Sequence, residues 1–253
     1  MDILFTMTAF LISNERIPGT AARGAGFGLF SAQHVLALAL GAAFIFVTAR
    51  VYILSENKRR RGLRLGMASA ALFIELARAV LPALAGNGLI SHLPLHLCAL
   101  AVYFCFFHAL RGGGLLGQFL YAFCLPGALA ALLFPDWRGY GLLHPASLAS
   151  FALHFLVVAY ILARVFAREL VPDIKAAPRC LLLMLALAVP VYIFDRLTGM
   201  NYMFLLYPPP GSPLALFAAL GTPGYLVGYI PLLIAAWALI YAPWLGPRRA
   251  GQG

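Results

Sequence analysis

Charged side chains are scarce in this chain of 253 residues. Asp, Glu, Lys and Arg make up 10% of it, against roughly 25% in an ordinary soluble domain, and hydrophobic residues make up 63%. A soluble fold could not bury so much apolar surface, which argues against a soluble enzyme or binding domain. The alternating polar pattern of a membrane β-barrel is also missing, because the apolar runs are long and continuous. Since lipid offers the backbone no hydrogen-bond partners, helices are the remaining spanning element.

Metal motifs, disulfide spacing and internal repeats are missing as well. The four cysteines lie in or beside apolar segments and show no CxxC spacing, which argues against a disulfide framework or a structural zinc site. A zinc site on His92 and His96 would lack a third ligand, and Pro94 disfavours helix at the residue before it. We therefore expect no metal and no cofactor. The net charge of +10 does not indicate nucleic acid, because the basic residues cluster at the ends of apolar runs.

Long apolar segments predict an all-α fold, a polytopic transmembrane helical bundle of about seven spans. The segments cover residues 27–54, 65–84, 94–110, 115–133, 144–166, 180–194 and 214–241. Pro94 is expected in the first turn of the third span, and Pro126 and Pro190 predict kinks in the fourth and sixth. We expect one transmembrane domain over residues 27–244. An extracytoplasmic or interfacial segment (1–26) precedes it, and a short basic tail (245–253) follows.

The distribution of basic residues predicts the orientation of the bundle. With seven alternating spans, 13 of the 18 Lys and Arg fall in the loops of one side and five fall on the other side or inside spans. The strongest cluster is Lys58 to Arg64, directly after the first span. Because basic loops stay cytoplasmic, we expect the N-terminus outside and the C-terminus inside. The expected location is a bacterial inner membrane.

Ionisable side chains inside a membrane are costly and therefore mark candidate functional positions. In the predicted orientation these side chains lie in the outer half or near mid-depth, namely His34, Glu75, Arg78, His96, Cys98, His154 and Asp195, with Asn201 and Tyr202 in an outer loop. The inner halves of the spans are almost entirely Leu, Ala, Val and Phe. The sequence thus predicts one polar pocket that opens toward the outer leaflet.

Several of these residues also have a structural interpretation. Glu75 and Arg78 are three residues apart on one helical face and can neutralise each other. His34 can serve as a hydrogen-bonding packing residue. Cys98 differs from the other cysteines because it lies near a helix start, where partial positive charge favours a thiolate. His96 points to nearly the opposite face from Cys98, so a base for Cys98 should come from another helix, with His154 or His34 as candidates.

Several segments of the sequence together resemble a known family. They are Leu93-Pro94-Leu95-His96-Leu97-Cys98, Pro126-Gly127-Ala128, Phe134-Pro135-Asp136, His154 within its span, and Gly199-Met200-Asn201-Tyr202-Met203-Phe204. Over residues 27–244 the chain resembles the YwaF-type family, whose animal relatives are called transmembrane protein 164. The resemblance implies a phospholipid acyltransferase in which a cysteine matching Cys98 is the proposed nucleophile. Met200 departs from the family pattern, where a small residue such as Thr is expected.

Residues and resemblance together predict a membrane-embedded phospholipid acyltransferase or transacylase. Cys98 would be the nucleophile and His154 the base, with His96 assisting catalysis. The predicted substrate-binding residues are His34, Glu75, Arg78, Asn201 and Tyr202. Membrane phospholipids are the expected partners, and the sequence sets no oligomeric state. Two alternatives stay open, a small-solute transporter and a lipid-binding protein without catalysis.

Overall fold

The computed structural model describes residues 26–84 and 89–245. The predicted turn at 85–88, nearly all of the N-terminal segment and nearly all of the basic tail lie outside these ranges. Eight α-helices are described, namely α1 (Ala32–Leu54), α2 (Asn57–Leu84), α3 (Leu97–Arg111), α4 (Gly114–Phe119), α5 (Leu125–Leu133), α6 (Pro145–Phe166), α7 (Ala177–Thr198) and α8 (Tyr229–Tyr241). Within the described ranges, six helical segments are long and apolar enough to cross a membrane, and α3 is a shorter apolar helix. The chain is an all-α integral membrane protein.

Helix α6 lies at the centre of the bundle. It packs against α1, α2, α3 and α5, and most of its side chains are buried. The outer helices instead present large apolar side chains outward: Leu40 and Phe46 of α1 are 64% and 67% exposed, and Leu182 of α7 is 67% exposed. Such surfaces are solvated by lipid tails rather than by water. The core therefore forms around α6, while α1 and α7 face the bilayer.

Contacts between helix ends place the polar residues in two separate groups. At the start of α1, His34 Nε2 lies 2.9 Å from the carbonyl oxygen of Leu132, which ends α5. At the other end of α1, the Tyr52 hydroxyl donates to Glu169, which follows α6, over 2.7 Å. We call these the His34 end and the Tyr52 end of the bundle.

The fourth predicted span is interrupted just before its proline. A π-helical turn over Leu120–Cys124 joins α4 to α5, and Pro126 lies in the first turn of α5. Because Pro126 has no N–H, it cannot donate to the carbonyl of Ala122 four residues earlier. The indole Nε1–H of Trp237 in α8 donates to that oxygen instead, over 2.8 Å. The irregularity expected near Pro126 thus becomes an attachment point for the last helix.

The last predicted span is only partly α-helical. Short 3₁₀ helices over Pro213–Leu220 and Gly224–Gly228 precede α8, and the segment long enough to cross a membrane is Gly224–Trp244. The prediction of one continuous helix from residue 214 was wrong. Gly221, with φ of +63°, and Pro223 interrupt the helical hydrogen-bond pattern between the two 3₁₀ segments.

Helices α1 and α6 approach closely at Gly41. A Cβ added to this buried glycine would lie 2.0 Å from the Phe155 ring. We expect Gly41→Leu to lower stability by about 1–3 kcal/mol, because the ring and the helix must move apart. The loss should appear as a lower melting temperature in detergent. Gly66→Leu is the matched control, because nothing lies within 4 Å of a Cβ at Gly66. Equal stability of the two variants would contradict this close approach.

Candidate functional site

Cys98 lies in the first turn of α3. The helix begins at Leu97 with His96 as its N-cap, so the prediction that Pro94 lies in the first turn was wrong. Pro94 restricts its neighbours to extended backbone, and the helix starts only after that stretch. The Cys98 side chain is half-buried, and its charged neighbours include Arg78, Glu75 and Asp136. The thiol therefore lies where α2, α3 and the loop after α5 meet.

Glu75 and Arg78 form an ion pair beside Cys98. Arg78 Nη1 lies 3.6 Å from Glu75 Oε2, and the two side chains are 38% and 8% exposed. The charge of Arg78 also reaches His154 on α6. Arg78 is thus a shared electrostatic neighbour of Cys98 and His154, which brings the two predicted catalytic residues to the same end of the bundle.

The ring of His154 is buried, and one of its nitrogens has a defined role. His154 Nδ1 lies 2.6 Å from the Ser150 carbonyl oxygen, which can only accept, so Nδ1 carries the proton. Nε2 is then the lone-pair nitrogen, and it has no hydrogen-bond partner within the described part of the chain. The ring stacks on Trp137, with 5.0 Å between centroids. His154 therefore presents a proton acceptor, although it makes no hydrogen bond to Cys98.

His96 has the opposite proton arrangement. Its Nδ1 accepts the backbone N–H of Met203 over 3.2 Å, so a neutral ring carries its proton on Nε2. The ring lies between Tyr202 and Phe204, with centroids 5.0 Å and 5.4 Å away. His96 is thus held as a hydrogen-bond donor, whereas His154 is held as an acceptor.

The loop that contacts His96 is strained. Met203 and Phe204 have φ of 51° and 53°, a left-handed conformation that costs energy for residues with side chains. The Tyr229 hydroxyl donates to the Met203 carbonyl over 2.8 Å, and the Tyr225 hydroxyl donates to the Phe204 carbonyl. These two tyrosines hold the loop in place. The sequence analysis missed them, because they lie in a segment expected to be plain helix.

Asn201 and Tyr202 support the same loop. Asn201 Oδ1 accepts the backbone N–H groups of Leu206 and Tyr207, and its side-chain amide donates to the Tyr207 carbonyl. The Tyr202 hydroxyl donates to the Ile90 carbonyl, and burial raises the pKa of Tyr202. The predicted role of Asn201 and Tyr202 in substrate binding stays a prediction, while their observed contacts shape the loop beside His96.

His34 bridges two helices through both ring nitrogens. Nδ1 accepts the Phe30 backbone N–H over 3.0 Å, and Nε2–H donates to the Leu132 carbonyl. The ring is fully buried and lies 6.2 Å from that of Phe151, centroid to centroid. With both nitrogens engaged in the backbone, His34 ties α1 to the end of α5. His154 is therefore the better placed of the two candidate bases.

Further buried polar atoms at this end lack protein partners. Besides His154 Nε2, the Trp137 indole Nε1 and the Ser147 hydroxyl have no hydrogen-bond partner within the described residues. Ser147 lies two turns before His154 on α6, on the same face. Buried polar groups normally pair, so their grouping indicates a place where a polar ligand or water binds. The Asp136-Trp137 pair in an otherwise apolar stretch was the available sequence signal for this.

An open cleft lies at the same end of the bundle. It has a volume of about 670 Å³ and is lined by Gly26, Phe27, Gly28, Asp136, Arg138, Gly139 and Pro210. Arg138 donates to the Pro210 carbonyl over 3.0 Å and so connects the cleft to the loop after α7. Asp136 is the link to the candidate site, because it lines the cleft and is also a charged neighbour of Cys98.

A second polar cluster occupies the Tyr52 end, where the sequence predicted almost only apolar side chains. The buried Arg164 on α6 donates to His108 over 2.6 Å, to the Tyr160 hydroxyl over 3.1 Å and to Glu169 over 3.3 Å. The expectation of a single polar pocket was therefore wrong. The arginine at the end of its span was interpreted as a loop residue, and the facing His108 was not singled out.

Comparison with known proteins gives one family. The TMEM164 family matches residues 29–241, which is most of the chain. The chain belongs to the TMEM164 family. Neither the curated proteins nor the solved structures yielded a match. The segment shared with the TMEM164 family contains every predicted site residue and both polar clusters. Among the described residues of this TMEM164 family protein, there is no group of three or more His, Cys, Asp or Glu that could hold a metal ion.

Proposed function

We propose that this TMEM164 family protein is a membrane-embedded phospholipid acyltransferase or transacylase that uses Cys98 as its nucleophile. The active site would open to the outer leaflet of a bacterial inner membrane, with the N-terminus outside, the C-terminus inside and the spans forming one transmembrane domain. The resemblance at Leu93 to Cys98 suggested this activity. The supporting geometry is the convergence of Cys98, Arg78 and His154 at one end of the bundle.

The observation that carries the proposal is the pair of opposite histidine tautomers. Acyl transfer needs a base that takes the thiol proton and a donor that stabilises the oxyanion. His154 presents a lone pair on Nε2 because Ser150 holds the proton on Nδ1. His96 presents a proton on Nε2 because Met203 donates to Nδ1. One backbone contact to each ring thus assigns two complementary roles.

In the acylation step, His154 Nε2 takes the Cys98 proton and the thiolate attacks the ester carbonyl carbon of a phospholipid. The carbonyl oxygen becomes an oxyanion that accepts from His96 Nε2–H and lies near the charge of Arg78. The ester C–O bond breaks, and the leaving lysophospholipid oxygen takes the proton from His154. The product of this step is a thioester on Cys98.

In the transfer step, His154 takes the proton of an acceptor hydroxyl, whose oxygen attacks the thioester. The C–S bond breaks, and the Cys98 sulfur regains the proton from His154. Cys98 and His154 share no hydrogen bond, and catalytic hydrogen bonds commonly tighten only once substrate is bound. Glu75 has the role of holding Arg78 in place through their ion pair.

Transport is the weaker alternative, because the two polar clusters are separated by apolar side chains. Val102 and Cys105 on α3, and Leu153 and Val157 on α6, are at most 1% exposed and belong to one core cluster. A solute route between the clusters would have to cross this layer. The apolar layer supports a site that lipid reaches from one leaflet.

The two histidine roles can be tested separately on the full-length protein. Thiol alkylation of Cys98 by N-ethylmaleimide needs a base but no oxyanion donor, whereas acylation by phospholipid vesicles needs both. We expect His154→Gln to slow both reactions by about 100-fold. His96→Gln should slow acylation by about 100-fold and leave alkylation nearly unchanged. Both rates can be followed by intact-protein mass spectrometry.

His34→Gln is the control for loss of a buried histidine at the same end. It should lower thermal stability, since both ring nitrogens bond the backbone, with less than tenfold effect on either rate. If His96→Gln slows alkylation as much as acylation, or His154→Gln affects neither rate, the assigned roles are wrong.

A further inference from the structure

The polar cluster at the Tyr52 end has an excess of positive charge. Three guanidinium groups, those of Arg60, Arg64 and Arg164, lie 3.8 Å, 3.9 Å and 3.3 Å from the carboxylate of Glu169. The side chain of Glu169 is 23% exposed, so this set of four charges reaches the surface. Three positive charges against one negative leave the cluster short of an anion.

The other acidic side chains described at this end do not balance the charge. Glu56 lies in the loop before α2 and is exposed. Asp173 is also exposed, and its Oδ1 accepts the backbone N–H of Lys175. Lys58, Arg59 and Arg61 on α2 add further exposed positive charge. The excess of positive charge therefore extends from the buried cluster to the surface.

Arg64 has the most unused hydrogen-bonding capacity of the three arginines. Arg164 bonds His108, Tyr160 and Glu169, and Arg60 donates to the carbonyl oxygens of Tyr52 and Ile53 at the end of α1. Arg64 Nε is buried with no hydrogen-bond partner within the described residues, and its Nη1 lies too far from Glu169 for a hydrogen bond. A buried donor of this kind normally pairs, so Arg64 is the place where an additional anion would bind.

The surroundings of the cluster match the membrane interface. Val51 and Leu54 at the end of α1 and Phe166 at the end of α6 are 36%, 74% and 57% exposed, as expected of side chains that face acyl chains. Trp244 lies at the same end, with Arg168 stacked on its ring. Basic side chains next to aromatic residues and apolar surface lie at the depth of lipid phosphates.

We propose that Arg64, supported by Arg60 and Arg164, binds the phosphate of an anionic phospholipid in the leaflet at the Tyr52 end. The planar guanidinium offers two parallel donors that match two phosphate oxygens. The acyl chains lie along the exposed side chains of Val51, Leu54 and Phe166. This lipid site is separate from the Cys98 site, and its occupation does not depend on acyl transfer.

The test uses the full-length protein in nanodiscs of phosphatidylcholine doped with phosphatidylglycerol, with retained lipid measured by native mass spectrometry. We expect the wild type to retain phosphatidylglycerol in preference to phosphatidylcholine. Arg64→Gln should weaken this preference by about tenfold or more, because a charge-assisted hydrogen bond is lost. Arg64→Lys keeps the charge without the planar fork, and it should fall between the two if Arg64→Gln does not fold.

Arg59→Gln is the matched control, because it removes an equal charge from an exposed position on the same helix. It should change the preference by less than about twofold. An equal loss in Arg59→Gln would mean that diffuse surface charge attracts the lipid, and would overturn the site. A thermal shift with inorganic phosphate that disappears in Arg64→Gln, without any lipid preference, would overturn the lipid in favour of a free anion.

Discussion

Replacing Cys98 by alanine is expected to abolish acyl transfer, with a loss of at least about 1,000-fold in rate, because no other group takes over a covalent nucleophile's role. Wild-type protein incubated with phospholipid vesicles should gain the mass of one acyl chain. Hydroxylamine at neutral pH should remove it, as it cleaves thioesters. Intact-protein mass spectrometry of the wild type and Cys98→Ala measures both steps.

Cys105→Ala is the control for this experiment. Cys105 lies two turns further along α3 and is buried in the apolar core. Its loss should lower stability slightly and leave the labile adduct in place. The proposed chemistry fails if wild-type protein never acquires a hydroxylamine-labile acyl group, or if Cys98→Ala acquires it at the same rate.

Replacing Arg164 by methionine is expected to cause the largest loss of stability, about 3 kcal/mol. The guanidinium joins α6 to α3 through His108 and to the loop after α6 through Glu169. Methionine fills most of the volume but provides no donor, so Glu169 keeps only the longer contacts to Arg60 and Arg64. The midpoint of unfolding in detergent should fall accordingly.

Arg168→Met is the comparison for Arg164→Met, because it removes the same charge four residues later. Arg168 is exposed and stacks on Trp244 at 5.2 Å, a contact expected to contribute about 0.5–1 kcal/mol. Arg164→Lys keeps the charge but not the fork and should lose an intermediate amount. Equal unfolding midpoints for Arg164→Met and Arg168→Met would show that the buried network contributes nothing beyond surface charge.

The hydropathy of the chain was sufficient to predict the all-α membrane fold. The first and fifth predicted spans agree closely with α1 and α6, because a long apolar run without internal Pro or Gly pairs forms one uninterrupted helix. Around residues 214–228 the same criterion failed. Apolar side chains are equally compatible with 3₁₀ turns, and a hydropathy average does not register the backbone breaks at Gly221 and Pro223.

The candidate site was only partly accessible from the sequence. Alternating spans correctly placed Glu75, Arg78, Cys98 and His154 at one end. The hydrogen bonds that select each histidine tautomer could not be predicted, because one partner is a helix carbonyl and the other a backbone N–H in a strained loop. Neither Ser150 O nor Met203 N has any signature in residue type.

The cluster around Arg164 was missed for a related reason. Averaging over a span treats a single Arg near its end as part of the following loop, whereas the structure turns its side chain inward toward His108. The partner Glu169 lies beyond the span, so no helical spacing links it to Tyr52 or Arg60. Only the packing of α1, α2, α3 and α6 brings these groups together.

The bond between Met203 N–H and His96 gives the loop after α7 control over proton traffic. If that amide swung away, His96 could place its proton on either nitrogen, and the donor facing the thiol end would be present only part of the time. The tyrosines that hold the amide belong to the segment at the start of α8. A lipid or protein that pressed on this lipid-facing segment would thereby adjust the acidity offered at His96 without touching the thiol, as a dimmer adjusts a lamp.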